Sequence, residues 1–274
     1  MVLNKFALGA IAMIVLATIY NIAAIILPMW TSNTTVNSAY SGTISSASFK
    51  AGLLGFCFDT EMTDGTSFDD CLYYKFGSLD DDFSKLNSEI WSKYASDGVC
   101  KGYDNAGDVG DAEQFAYSAM LATAAGMDAA QFDKFLDKSC GILGMGTMTT
   151  GGVSLSNGLM AIIAMVVVIT CRKGNKKWAG AAIFLAGVAA LAAMVTIILW
   201  IFQSKPLGEE DNTTYKASFY LMIIATLHYL VAIILFWKCL KQQQERMRAQ
   251  AEDHTGYRGV ETPKFDESAP VNSV

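Results

Sequence analysis

Four of the six cysteines are the residues best placed for covalent chemistry, and they share one polar region. They are Cys57, Cys71, Cys100 and Cys140. An even set of cysteines in an oxidising compartment is typical of structural disulfides. Four cysteines allow three pairings, and we favour Cys57–Cys71 with Cys100–Cys140 because each bond closes a locally coherent segment. This interpretation requires the region to lie outside the cytoplasm.

Other groups that could catalyse a reaction or bind a metal ion are scarce. The chain has two histidines, His228 and His254, and no HExxH, GxSxG or P-loop pattern. The acidic run at 80–82 lacks the alternating spacing of an EF-hand calcium loop and is typical of solvated charge. The sequence therefore predicts a protein that is not an enzyme and that has no metal or cofactor site.

Four apolar stretches must position the cysteines, and they cover residues 6–30, 151–171, 178–202 and 219–237. Each is close to the length of about 20 residues that a helix needs to cross a bilayer. Four helices that are apolar on every face are rare in a soluble domain of this size. The first stretch exceeds the apolar core of about 7–15 residues in a signal peptide, so we predict an uncleaved span. The expected fold is mainly α-helical, with a left-handed bundle of four transmembrane helices.

The distribution of charge predicts the orientation of these spans. Residues 172–177 contain four basic side chains and no acid, and basic residues also precede the first span and follow the fourth. Residues 31–150 contain seven lysines against seventeen acids. Because cytoplasmic loops carry the Lys and Arg excess, residues 1–5, 172–177 and 238–274 are predicted to be cytoplasmic. Residues 31–150 and 203–218 then face outward from the plasma membrane, and an acidic domain excludes nucleic acid as a partner.

The first outer region divides into two parts by composition. Residues 31–77 contain short runs rich in Ser, Thr, Tyr and Phe, which predict a small antiparallel sheet. Residues 78–140 show helical spacing of apolar residues, which predicts helices over 78–94, over 111–127 and from 128 onward. A Cys100–Cys140 bond would hold this helical insert together. Residues 141–152, rich in Gly, Thr and Met, are expected to form a flexible approach to the second span.

Several single residues are candidates for modification or for polar contacts inside the spans. Asn33 and Asn212 begin N-glycosylation sequons on the predicted outer side. Cys171 and Cys239 lie beside basic residues at predicted cytoplasmic helix ends, where a cysteine is either palmitoylated or a plain reduced thiol. Asn21 and His228 are polar residues inside predicted spans. Both are expected to bond a neighbouring helix, and the alternative is a transport or other functional role.

The polar region after the first span resembles the claudin and peripheral-myelin-protein superfamily. The signature of that family is a Trp after the first span, then Gly-Leu-Trp, two residues and Cys, then a second Cys. The residues that carry the resemblance are Trp30, Gly52, Leu53, Leu54, Cys57 and Cys71. The resemblance implies a Cys57–Cys71 disulfide in a membrane-proximal sheet, with Trp30 and Leu54 anchoring that sheet at the bilayer surface. Leu54 replaces the signature Trp, and the helical insert is longer than in animal claudins.

The resemblance also implies a function. A claudin-like protein organises membrane domains or cell–cell contacts through its outer loops and through lateral self-association, in cis and in trans. If its copies form a paracellular pore, the acidic loop predicts a preference for cations. The alternative is an auxiliary subunit of an ion channel or receptor. Val274 ends the sequence as in PDZ ligands, but Asn272 replaces the Ser or Thr that such ligands carry, which disfavours a PDZ scaffold partner.

Overall fold

The computed structural model of the protein describes residues 5–77, 88–94, 97–170, 176–209 and 213–256. The described part contains four long helices, four short helices and one antiparallel sheet. In chain order the elements are α1 (Lys5–Ile26), β1 (Thr31–Asn33), β2 (Ile44–Ala51), β3 (Gly55–Met62), β4 (Ser67–Tyr73), α2 (Ser88–Tyr94), α3 (Val99–Val109), α4 (Asp111–Ala125), α5 (Ala129–Cys140), α6 (Ile142–Thr170), α7 (Lys176–Ser204), β5 (Thr214–Tyr215) and α8 (Ala217–Gly256).

The four long helices, α1, α6, α7 and α8, pack side by side as a bundle. Helix α1 contacts α8 and α6, and α7 contacts α6 and α8, so the four helices form a closed ring. Small buried residues of α7 allow this close packing: Ala182, Ala186, Ala189 and Ala193. Large apolar residues such as Phe184 and Leu191 point away from the bundle and are exposed. All four helices are long and apolar enough to cross a membrane.

The sheet has five antiparallel strands in the order β4-β3-β2-β1-β5. Four of them come from residues 31–77, as predicted, but β5 comes from the connection between α7 and α8. Thr31 pairs with Ala51 on one side and with Tyr215 on the other. The sheet therefore joins the segment that follows α1 to the connection between α7 and α8.

Helices α2–α5 cover one face of the sheet, and we call the sheet together with these four helices the cap. Helices α4 and α5 agree with the predicted helices, and Asp128 caps α5 by accepting a hydrogen bond from the Gln131 N–H at 3.0 Å. Helix α3 was not predicted. Only α2 represents the helix predicted over 78–94, because residues 78–87 lie outside the described residues.

The prediction of a flexible approach at 141–152 is wrong, because α6 begins at Ile142 and runs without a break into the second apolar stretch. Two hydroxyl groups in this segment bond to the preceding helical turn, Thr147 to the Leu143 carbonyl at 2.7 Å and Thr150 to the Gly146 carbonyl at 2.9 Å. Leu53 of the cap packs against α6 at Gly151. Tertiary contacts thus override the low helix propensity of glycine. Helix α8 continues past residue 237 to Gly256, which confirms the helical extension expected after the fourth apolar stretch.

Gly55→Ala should destabilise the cap, because a β-carbon at this position would lie 2.8 Å from the Tyr73 Cα and would overlap the Leu72 carbonyl oxygen. Relief requires a shift of paired backbone, and overpacking of this kind costs about 1–3 kcal/mol. Gly42→Ala is the matched control, since nothing lies within 4 Å of its added β-carbon. Thermal unfolding of the detergent-solubilised protein should show a lower Tm for Gly55→Ala only. Equal Tm values for the two variants would contradict the packing at Gly55.

Candidate interaction domain and its junction with the helices

The first disulfide lies within the sheet. Cys57 of β3 and Cys71 of β4 are directly opposite in the antiparallel register, and their sulfur atoms are bonded. The Cα–Cα distance is 4.0 Å. The bond fixes the register of β4, which is the edge strand, because a slip of one residue would separate the two cysteines.

The second disulfide, Cys100–Cys140, joins the beginning of α3 to the end of α5. Both cysteines also contact the residues that follow β4. The Cys100 N–H donates to the Tyr74 carbonyl at 2.9 Å, and the Lys75 ammonium donates to the Cys140 carbonyl at 3.2 Å. Because α6 begins two residues after Cys140, this bond ties the helical part of the cap to both the sheet and the bundle. The structure thus contains the two disulfides in the pairing that the sequence favoured.

Aromatic side chains fill the space between the sheet and helix α5. The ring of Phe132 lies 5.7 Å from Phe49 and 5.6 Å from Phe56, edge to face in both cases. Phe135 contacts Phe49 and Tyr74 in the same manner, at 6.2 and 6.4 Å. Each such pair contributes about 0.5–1.5 kcal/mol beyond the area that it buries. This face of the sheet is therefore a packed core and not a binding cleft.

Trp30 lies between the sheet and the bundle. Its side chain is completely buried, and its indole N–H donates to the Ala24 carbonyl at the end of α1 at 2.6 Å. Its ring contacts Trp200 of α7 at 5.5 Å and Phe219 of α8 at 6.0 Å. Protein covers the ring on every side, so Trp30 holds the sheet through contacts with the helices of the bundle and not through contact with lipid.

Hydrogen bonds around Trp30 extend this junction. The Trp30 N–H donates to the Ala51 carbonyl of β2 at 2.9 Å, and its carbonyl accepts from the Lys216 N–H at 3.0 Å. The indole N–H of Trp200 donates to the Thr31 hydroxyl of β1 at 3.0 Å. Residues from α1, α7 and the start of α8 are thus bonded or packed against β1 and β2, and sheet and bundle form one unit.

The remaining residues of the family-like motif connect β2 to β3 near the end of α1. A β-carbon on Gly52 would lie 2.7 Å from the Pro28 Cα, so the glycine permits close approach of the two backbones. Leu53 is buried, whereas Leu54 is half-buried and lines a groove beside Leu27 and Pro28. Leu54, the residue at which the family signature has Trp, therefore remains partly accessible from outside the protein.

A buried polar network connects the four long helices near the middle of the bundle. The Asn21 amide of α1 donates to the Ser154 hydroxyl of α6 at 2.8 Å and approaches the Tyr229 hydroxyl of α8 at 3.4 Å. Ser154 in turn donates to the Ala189 carbonyl of α7 at 2.8 Å. Gly158 leaves room for the Tyr229 hydroxyl. Asn21 thus makes the interhelical hydrogen bonds expected of it, although its Oδ1 has no partner among the described residues.

His228 does not belong to this network. Its Nδ1 lies 2.8 Å from the Ile224 carbonyl oxygen of its own helix, where the tautomer protonated at Nδ1 donates a hydrogen bond. Its ring contacts the Tyr20 ring edge to face at 5.5 Å. The predicted bond from His228 to a neighbouring helix is therefore wrong, because the backbone of its own helix pairs with the imidazole, and its contact with α1 is through the Tyr20 ring.

Two candidate modification sites are disfavoured by burial. Asn33 is 3% exposed, and its amide nitrogen donates to the Thr213 hydroxyl at 3.2 Å, so a glycan on that nitrogen has no room in this fold. Cys239 is 1% exposed, so neighbouring residues cover the thiol that palmitoylation requires. Asn212 and Cys171 lie outside the described residues.

Buried tyrosines are the most perturbed ionisable groups of the cap. Burial raises the pKa of Tyr74, Tyr103 and Tyr117 above the ordinary tyrosine range, and at Tyr103 the charge of nearby Asp133 adds to the effect. These phenols stay neutral at physiological pH, and Tyr103 donates to Asp133 at 3.3 Å. Within the described ranges, no group of three His, Cys, Asp or Glu side chains is arranged to hold a metal ion.

Three residues of the junction and network were not identified from the sequence, namely Trp200, Ser154 and Tyr229. Each carries a polar group inside a predicted apolar stretch and is buried. A polar side chain in a span is expected to face a neighbouring helix, so the same argument that selected Asn21 would have selected Ser154 and Tyr229. Nothing in the sequence identifies Thr31 as the partner of Trp200.

Comparison with protein-family models and with curated proteins gave no match for this chain.

Asn21→Ala should destabilise the bundle, because it removes the donor that links α1 to Ser154 and Tyr229. Interhelical hydrogen bonds of this kind contribute about 0.6 kcal/mol on average and at most about 1.7 kcal/mol. Asn157→Ala is the matched control, since Asn157 lies in α6 and donates only to the Val153 carbonyl of its own helix. Unfolding in mixed micelles should show a loss for Asn21→Ala that exceeds that of Asn157→Ala. A larger effect of Asn157→Ala would contradict the network.

Proposed function

We propose that the protein is a claudin-like integral membrane protein that organises membrane domains or cell–cell contacts. The cap makes the contacts, and copies of the chain associate laterally through the plasma membrane. One observation carries the proposal: a small antiparallel sheet with a cross-strand disulfide sits directly on the end of four apolar helices and is held there by Trp30. This arrangement suits the family resemblance of Trp30, Gly52, Cys57 and Cys71.

Exposed aromatic residues support placement of the bundle in a bilayer. Trp178 and Trp237 are exposed at the end of the bundle opposite the cap, and Tyr73 and Tyr220 are exposed at the cap end. Trp and Tyr are enriched at both membrane–water interfaces. Between these two sets of aromatic residues, the outer faces of the long helices carry exposed apolar side chains such as Phe184, which suit contact with lipid and not with water.

The disulfides and the charge support the orientation of the chain. Disulfides persist in an oxidising compartment, which supports a cap that faces the cell exterior and, with four spans, termini that face the cytoplasm. Exposed acids cover the cap, among them Asp59, Glu61, Asp69, Asp104 and Asp108. A pore enclosed between caps would favour cations because of these charges.

An auxiliary subunit of a channel or receptor is the second candidate. Val109 at the end of α3 and Phe115 of α4 are exposed apolar side chains on the helical part of the cap. A partner's outer domain could cover them. This insert is also the part of the chain that the family signature does not include.

The proposal is tested by expressing the fluorescently tagged full chain in cells that form no junctions of their own. We expect patches or strands at borders between two expressing cells and oligomers in single-molecule photobleaching. Borders between an expressing and a non-expressing cell are the matched control, because they lack a partner copy in the second membrane. Uniform dispersion of monomers would contradict the proposal, and stoichiometric co-purification of a channel from such cells would favour the auxiliary subunit.

A further inference from the structure

A groove of about 80 Å³ lies where α1 meets the edge of the sheet. One wall is the end of α1 with the two residues that follow it, and the other is formed by β3, β4 and the turn before β3. The Cys57–Cys71 disulfide is part of the second wall. The residues that line it are Ile25, Ile26, Leu27, Pro28, Leu54, Gly55, Phe56, Cys57, Cys71, Leu72 and Tyr73.

The side chains that line the groove are apolar, whereas backbone atoms and the Tyr73 hydroxyl supply the polar part of its surface. None of the lining residues carries a charge at neutral pH, and the Tyr73 hydroxyl is the one polar side-chain group among them. An ordered water molecule needs about 2–4 polar partners, which side chains such as Leu27, Leu54 and Leu72 do not offer. The side chains of the groove therefore suit a hydrocarbon ligand better than a charged molecule.

The position of the groove along α1 matches the boundary of a bilayer. Twenty residues separate Lys5 from Ile25, and at about 1.5 Å per residue they span about 30 Å, the thickness of the hydrocarbon core. With Lys5 at the cytoplasmic boundary, the groove opens at the outer boundary. Ile19 and Ile26 are seven residues apart, share one face of α1 and are both exposed, so the groove continues the outer surface of this helix.

Two stacked aromatic rings lie beside the groove. Tyr73 lines it, and its ring stacks on Phe76 with 4.9 Å between the centroids. Both side chains are exposed although both are largely apolar, at 41% and 46%. Exposed aromatic rings at this depth are typical of the interfacial region of a membrane, where the upper part of a lipid chain lies.

We propose that this groove binds the upper part of an acyl chain from a phospholipid of the outer leaflet. The chain packs between Leu27 on α1 and Leu54 on the cap, and Tyr73 borders its headgroup end. Because Cys57 and Cys71 form one wall, the bound chain contacts the disulfide-bearing strands directly. The inference rests on the membrane placement proposed above. If a lipid chain fills the groove, the position of the cap on the bundle depends on the surrounding lipids.

Position-specific photocapture tests the proposal with the full chain. An amino acid with a short alkyl diazirine replaces Leu54 in one variant and Ile19 in a second, and each is reconstituted in phosphatidylcholine vesicles and illuminated. Ile19 is the matched control because it is an exposed apolar residue of α1 below the groove. We expect intact-mass spectra of both variants to show adducts of one phosphatidylcholine. Tm values close to that of the unmodified chain establish that both variants are folded.

Each other outcome overturns the proposal in a distinguishable way. Capture of phosphatidylcholine at position 19 with no adduct at position 54 would show that lipid surrounds α1 but that the groove holds no chain. A covalent dimer from position 54 would show that a second copy occupies the groove. Absence of lipid adducts at both positions would instead contradict the membrane placement on which the proposed function depends.

Discussion

The burial of one indole ring, that of Trp30, is the interaction on which the rest of the structure depends. The ring fills the space between α1, α7 and α8, and its N–H satisfies a carbonyl that the end of α1 would otherwise leave without a partner. Its backbone bonds to β2 on one side and to Lys216 on the other. Truncation of a buried aromatic residue costs about 3–5 kcal/mol. Without this ring, the segment that follows α1 and the connection between α7 and α8 would lose the residue that holds both against the bundle.

Close packing around this ring explains the small residues of the motif and the positions of the disulfides. Gly52 and Gly55 bring strand backbone against Pro28 and Leu72, where no side chain fits. The Cys57–Cys71 bond then fixes the register of the edge strand, and Cys100–Cys140 holds the helical cover to the sheet and to the start of α6. The cap is therefore fixed on the bundle by close packing and by covalent bonds, and the contact function proposed for it would benefit from such preorganisation.

The four long helices could be predicted from the sequence. A membrane span must form all its backbone hydrogen bonds within one apolar helix, and this requirement appears in the sequence as a long uncharged stretch. Helices α4 and α5 could be predicted from periodicity and, for α5, from its cap. Strand β5 could not, since its partner Thr31 is far away in sequence and a two-residue strand has no pattern. The complete burial of Trp30 could not be predicted, because an interfacial preference is an average over many proteins and says nothing of the residues that cover this ring. Burial of Asn33 and Cys239 likewise follows from contacts that no local motif encodes.

The central claim, that Trp30 couples the sheet to the bundle, is tested most directly by hydrogen exchange. Trp30→Phe removes the indole N–H and part of the ring, and Trp237→Phe is the control because Trp237 is 59% exposed at the opposite end of the bundle. Mass spectrometry should detect faster exchange in Trp30→Phe at β1, at β2 and at the cap-facing ends of α7 and α8 together, with no change in Trp237→Phe. Faster exchange confined to the residues next to position 30, with β2 and α7 unchanged, would contradict the account.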